Sequence, residues 1–230
     1  MTDSPPISLV CFDLASIVVD GSIVERAFAE AIATQGIVAG TQDYARSMVR
    51  FDRSHGRAPA AVLRDLFDDD ESRAQAALLA FERSFRAAAQ RFGLDLPAEV
   101  ADVMGKTAGS GVRICLLTML SRRACGEFLG LLRAADLVLC GDDAPRGFPW
   151  PDPVLTAMLK LGAADVREVA VVSASPDGVL SGYRAGARVL VGLGMGSSRR
   201  GAALLEAGAT HVLDSITTIP DLVAEVSSAS

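Results

Sequence analysis

From residue 97 onward, apolar strand-like runs alternate with amphipathic segments of helical period, and this alternation confines the 230-residue chain to one architecture. A helix over 98–108 leads to a strand over 112–118, then helix 121–133 to strand 137–140 and helix 152–161 to strand 169–173. Helix 177–185 and strand 188–193 follow, then helix 198–207 and strand 211–213, before a last helix at 219–226. Strand and helix in regular succession build a parallel sheet with helices on both faces. The apolar run from Leu9 to Asp13 reads as one more buried strand. Between it and residue 97 the strand signal vanishes. Helices are predicted instead at 22–36 (ended by Gly36), 42–53 (capped by Thr41), 58–67 and 69–92. The expected fold is therefore α/β. A Rossmann-like core of residues 1–20 and 97–230 is interrupted after its first strand by an all-helical cap, residues 21–96.

Composition narrows the function. Half of the residues are apolar, enough for a sizeable core. A net charge of −6 and few aromatic residues argue against nucleic acid as a partner, since neither a basic stripe nor a stacking platform is available. Met1 to Pro6 is polar and proline-rich, unlike a secretory leader, and no apolar run approaches the ~20 residues of a membrane span. The expectation is a cytoplasmic protein with a small-molecule ligand, no membrane or nucleic-acid partner, and a homodimer as an open option. Cys11, Cys115, Cys125 and Cys140 form no CxxC spacing, and neither His55 nor His211 lies beside one. They read as buried reduced thiols rather than zinc ligands.

Asp13 is the first candidate for chemistry, because carboxylates at the carboxyl ends of parallel strands face the crevice where ligands bind. Ser173 and Ser175 can donate hydrogen bonds at another strand end, although a serine there also serves as a helix N-cap. His55 and Arg57, with Asp52, form a polar cluster at a break between helices. They either reach over the pocket or belong to a solvated loop. The run Asp68-Asp69-Asp70 suits a helix start as well as a metal. Gly192-Leu193-Gly194-Met195-Gly196 lacks the third glycine of a dinucleotide loop and lies late in the sheet, so it reads as an ordinary loop.

Several segments together resemble the haloacid dehalogenase (HAD) superfamily, in particular its phosphonoacetaldehyde-hydrolase-like branch. Phe12-Asp13-Leu14-Ala15 resembles the nucleophile loop of that branch, and Gly21-Ser22-Ile23-Val24-Glu25-Arg26-Ala27-Phe28 the start of its cap. Phe148-Pro149-Trp150-Pro151-Asp152, Leu180-Ser181-Gly182-Tyr183-Arg184-Ala185-Gly186-Ala187 and Ala209-Thr210-His211-Val212-Leu213-Asp214 resemble later family segments. The resemblance implies a HAD-type Rossmann-like core with a helical cap, and an aspartate, Asp13, that attacks phosphorus. It also implies partners that this chain lacks at the matching places. Ser16-Ile17 replaces the Gly-Thr phosphate grip. Leu117 replaces a hydroxyl residue, with Thr118 next to it and Met119 where a glycine belongs. Phe148 replaces a lysine or arginine, with Arg146 two residues away. Ser173-Ala174 and Gly178 replace the magnesium-binding acids, with Asp177 one position off. The cap lysine of the branch falls near Pro59.

Loss of one donor that stabilises phosphoryl transfer typically costs ~10²–10³ in rate, and here several are replaced together. The replacements Ile17, Leu117, Met119 and Phe148, with Trp150 nearby, are apolar. They are expected to line a cavity with Asp13 at its floor and no metal or other cofactor. The predicted function is a HAD-like protein that has left magnesium-dependent phosphoryl transfer. It would use Asp13 for acid–base or nucleophilic chemistry on a mostly apolar metabolite, as secondary metabolism employs. A catalytically inactive, ligand- or partner-binding relative is the alternative, and a residual phosphatase the third reading.

Overall fold

The structure, a computed structural model, describes residues 5–17, 21–54, 56–68, 70–92, 96–126 and 134–228. Six strands form one parallel sheet: β1 (Leu9–Asp13), β2 (Arg113–Leu117), β3 (Leu137–Leu139), β4 (Val169–Ser173), β5 (Val189–Leu193) and β6 (His211–Leu213). Their spatial order is β3-β2-β1-β4-β5-β6, with Asp13 level with Leu117 on one side and Phe12 level with Val172 on the other. The chain turns from one half of the sheet to the other between β1 and β4. In open parallel sheets this switch point is where a crevice opens beyond the carboxyl ends of the strands.

Four helices occupy the chain between β1 and the rest of the core: α1 (Gly21–Ala33), α2 (Gln42–Asp52), α3 (Pro59–Leu66) and α4 (Glu71–Phe92). The others are α5 (Ala98–Gly109), α6 (Arg122–Cys125), α7 (Asp152–Leu161), α8 (Pro176–Ala185), α9 (Ser198–Glu206) and α10 (Ile219–Ser228). Thr41 caps α2 as expected, its Oγ1 accepting the Tyr44 N–H at 3.2 Å. Asp70 accepts the Arg73 N–H at 2.8 Å at the start of α4, so this part of the acidic run serves a helix start; Asp69 lies outside the described residues. The continuous helix expected over 121–133 is corrected: α6 ends at Cys125, where Gly126 leaves helical geometry with a φ of +50°, and residues 127–133 lie outside the described ones.

Alternation along the strands sorts the core into two layers. Val10, Phe12, Ile114 and Leu116 face a hydrophobic cluster that continues into α1, α3, α4, α5 and α10. Leu9, Cys11, Cys115 and Leu117 face the opposite cluster, with Val154, Val179 and Leu204 of α7, α8 and α9. All four cysteines are free and buried in these layers. The insert is also tied to the core through a buried carboxylate. Glu82 of α4 accepts the Ser121 hydroxyl at 2.5 Å and lies 3.5 Å from Arg123. No described helix is long and apolar enough to cross a membrane.

Two glycines set helix-to-sheet distances. Gly192 lies within β5, where a Cβ would come within 2.9 Å of the Leu204 Cβ on α9, so its glycine reflects close packing. On α8, a Cβ at Gly182 would lie 2.6 Å from Leu190 and 3.0 Å from Val171. Gly182→Ala is therefore expected to destabilise the protein by about 1–3 kcal/mol through overpacking. The check is a lower urea midpoint with an unchanged m-value.

Candidate active site

Asp13 ends β1 and Ser173 ends β4, so the sheet brings the two side chains together across the switch point. Asp13 is 3 % exposed. Its Oδ2 accepts two hydroxyl hydrogen bonds, from Ser173 at 2.7 Å and from Ser16 at 2.9 Å, while Oδ1 accepts the Ala15 N–H at 3.2 Å. Ser16 in turn accepts the Ala174 N–H at 2.7 Å, joining the turn after β1 to the turn after β4. Burial pushes the Asp13 carboxyl above its ordinary value of 3.8. The bonds from Ser173, Ser16 and Ala15 work in the opposite direction without cancelling that effect.

The two serines after β4 divide their tasks. Ser175 is the N-cap of α8, its Oγ accepting the Gly178 N–H at 3.0 Å, whereas Ser173 is committed to Asp13 and accepts the Ser175 N–H at 3.0 Å. Gly178 sits directly against this pair: a Cβ there would lie 2.8 Å from the Ser173 Cβ and nearer still to its hydroxyl.

A cavity of about 140 Å³ opens at Asp13. Its core wall is Asp13, Ala15, Thr118, Met119 and Leu120; its other wall comes from the insert, with Gly21, Val24, Phe51, Ser54, Gly56, Arg57 and Pro59. Thr118 is buried, and its Oγ1 accepts the Leu120 N–H at 3.2 Å. Gly56 brings the loop between α2 and α3 down onto the core. It has a φ of +95°, and a Cβ there would come within 2.5 Å of the Ser175 hydroxyl. Arg57 follows, turned into the cavity wall and paired with Asp65 at 2.7 Å.

The expected apolar lining is corrected by this geometry: of the four replacements only Met119 lines the cavity. Leu117 shares its strand face with Cys115, which directs it into the core layer beneath α7 and α8. Phe148 is buried in that same layer, its N–H against the Met119 sulfur at 3.2 Å. Ile17 packs half-buried against the other layer. Trp150 lies 46 % exposed on an outer groove, not on the cavity. Among the near neighbours of the family positions, Thr118 lines the cavity. Arg146 and Asp177 line the outer groove, where Arg146 pairs with Asp152 at 2.8 Å. Burial also raises the Asp177 carboxyl, against the attraction of Arg57 and Arg184. His55 lies outside the described residues. Sequence reasoning did not place Val24, Phe51 or Pro59 at the site, although Val24 lies in the segment that resembles the start of the family cap and Pro59 near the position of the branch's cap lysine; Phe51 carried only the signal of helical amphipathicity.

Among the described residues, those around Asp13 do not fit a magnesium ion. A hard divalent cation needs several oxygen ligands from acids, carbonyls or water. Ala174 and Gly178 stand where the resemblance places the acids, the Ser173 side chain fills the space beside Gly178, and Asp13 Oδ2 is already bonded to two hydroxyls. Among the described residues no three acids, histidines or cysteines come together in a metal-binding group.

Comparison with known proteins agrees with the fold. Residues 7–186 match the haloacid dehalogenase-like hydrolase family, and the chain belongs to it. Phosphonoacetaldehyde hydrolases of Pseudomonas fluorescens (strain Pf0-1) and Pseudomonas putida (strain W619) are 29% and 31% identical over 113 residues, 40% of this chain and 41% of each relative. The match thus spans less than half the length of these relatives. Among solved structures, a hydrolase from Pseudomonas syringae superposes with a TM-score of 0.77 at 18% identity, over 96% of this chain and 99% of that one. A phosphonoacetaldehyde hydrolase like protein from Oleispira antarctica gives 0.77 at 19% identity over 97% and 93%.

The raised Asp13 value has a thermodynamic consequence. The protonated carboxyl is favoured by the fold, so its stabilising contribution is complete below 3.8 and is lost as pH rises through the higher folded value. Asparagine retains an oxygen to accept both hydroxyls and removes the buried charge. Asp13→Asn is therefore expected to raise Tm at neutral pH, by about 2–4 °C for each kcal/mol, with the gain shrinking as the solution is acidified. Thermal unfolding of both proteins across that range checks it; a pH-independent difference would contradict a raised carboxyl.

Proposed function

We propose that this chain is a metal-independent member of its hydrolase family, in which Asp13 acts as general base or nucleophile on a small, mostly apolar metabolite. The observation that carries the reading is the placement of one buried carboxylate, raised above its ordinary value and held by two serine hydroxyls, in the wall of a largely apolar cavity. A carboxyl in such surroundings is closer to the neutral-pH range where proton transfer is efficient. The cavity has the size of an apolar void of about 150 Å³ that accommodates benzene, which sets the scale of the reacting part of the substrate.

Within this reading each neighbour has a task. Ser173 and Ser16 hold Oδ2, which leaves Oδ1, bonded among the described residues only to the Ala15 N–H, as the oxygen to take a proton or to attack carbon with departure of an alkoxide or halide. Arg57 supplies a cation from the insert side of the cavity, whereas Phe148 stands where the resemblance placed a lysine or arginine. Thr118 adds a hydroxyl, while Val24, Phe51, Met119 and Leu120 exclude water. A ligand- or partner-binding protein without catalysis is the second reading, favoured by the 3 % exposure of Asp13.

The test is turnover of small esters and 2-halo acids in EDTA. Activity abolished by Asp13→Asn, with an unchanged circular dichroism spectrum, is the expected outcome. Single turnover in H₂¹⁸O separates the two roles, because a nucleophilic carboxylate acquires the label and a general base does not. Ligand binding that survives Asp13→Asn with no turnover of any substrate would favour the binding protein. Calorimetry with Mg²⁺ and a phosphomonoester screen are expected to show neither binding at this site nor metal-dependent phosphate release. Robust Mg²⁺-dependent release that Asp13→Asn abolishes would reverse the proposal.

A further inference from the structure

Next to the Asp13 cavity lies an outer groove of about 730 Å³, between the start of α3, the segment 141–150 and α8. Arg57 belongs to the walls of both, so its side chain stands between the two spaces. Four arginines line the groove (Arg57, Arg64, Arg146 and Arg184) against two aspartates, Asp142 and Asp177, on a chain whose formal charge is −6. Most of these cations have carboxylate partners: Arg57 has Asp65, Arg64 lies 3.6 Å from Glu71, and Arg146 makes a two-point contact with Asp152 at 3.0 and 2.8 Å.

Arg184 differs. Its Nη1 donates to the Pro149 carbonyl at 3.0 Å, and among the described residues it makes no ion pair. Its guanidinium lies 5.3 Å from the Trp150 ring centroid, and that of Arg146 lies 4.3 Å from the same ring. The indole therefore presents two cations at the groove; Arg184 forms no ion pair among the described residues, although Asp177 attracts it from the same groove. A guanidinium carries five N–H donors, so donors remain on Arg184 and on Arg146 after the bonds described. Planar guanidinium donors match phosphate and carboxylate oxygens, and weak hydration makes arginine a ready partner for both.

We propose that this groove holds the oxyanion end, phosphate or carboxylate, of the substrate whose apolar end reaches Asp13. The inference rests on reading the Asp13 cavity as the reaction site and adds the substrate class: a small apolar reacting group carried on an anionic tail. The tail binds at Arg184 and Arg146 beside Trp150 and takes no part in the bond that changes.

Trp150 is the single tryptophan of the chain, so its emission reports on this groove alone. The experiment titrates pyrophosphate, succinate and, as a neutral control, 1,4-butanediol into the full chain at constant ionic strength. Trp150 emission and calorimetric heat are followed in parallel. Saturable binding of at least one anion and none of the diol is expected, and the preferred anion identifies the tail as phosphate or carboxylate. Arg184→Gln should weaken that binding about tenfold, read from its concentration dependence, while Arg199→Gln on the exposed start of α9 should leave it unchanged. Absence of saturation by both emission and heat overturns the proposal, as does binding indifferent to Arg184→Gln or equally weakened by Arg199→Gln. Asp13→Asn separates the two readings: anion binding retained in that variant supports the groove whether or not turnover survives, whereas turnover retained overturns only the role of Asp13.

Discussion

The hydrogen bond from Ser173 to Asp13 is the contact on which the rest of the site depends. It spans the switch point of the sheet, joining the last residue of β1 to the last residue of β4. Because the Ser173 side chain occupies that position, α8 can begin there only with a residue lacking a Cβ at 178. Ser175 then caps the helix, and the Gly56 loop of the insert closes onto Ser175. One hydroxyl thus orders the floor, the adjoining helix and the approach of the insert. Neutral donors do this without bringing in compensating charge, which is why burial still dominates the carboxyl's equilibrium.

Much of the architecture was legible because its signal is periodic. Alternating strands and helices after residue 97, one strand before it and a helical stretch between them are patterns that burial imposes on sequence, and the parallel sheet follows from them. Asp13 was legible for the same reason, as a carboxylate at the end of an apolar strand. The walls of the cavity were not. Leu117 and Met119 are two residues apart, yet the first is directed into a core layer and the second lines the cavity. β2 ends at Leu117, and strand parity stops being a guide beyond it. Arg57 was ambiguous because only a positive φ at Gly56 turns its loop inward, and a single glycine in sequence does not announce the direction of a turn. Ser16 counted only as a replacement of another group, and Ser173 as a strand-end donor with no stated acceptor. Their joint bond to one oxygen is a tertiary fact that spacing cannot supply.

Charge is distributed unevenly between the two adjoining spaces. The cavity at Asp13 holds one carboxylate, one guanidinium and a predominance of apolar wall, so a charge that develops inside it is poorly solvated and strongly felt. The outer groove carries most of the cations and is wider. Arg57 stands at the boundary, half-buried and already paired with Asp65, so its field reaches both spaces while its position is held from the insert side.

Phe51 illustrates how such a site can and cannot evolve. It forms part of the cavity wall, yet its ring also stacks on Phe28 at 4.3 Å, and Phe28 is wholly buried in the layer that runs from the sheet into the insert. A change at Phe51 that reshapes the cavity also disturbs this packing, so adaptation toward a new ligand through that position is taxed by the fold. Val24 and Ser54 touch the same cavity from half-buried positions, with fewer obligations to the interior. The cavity can therefore be reshaped from the rim at Val24 and Ser54 with little cost to the interior, whereas its aromatic back wall is tied to Phe28.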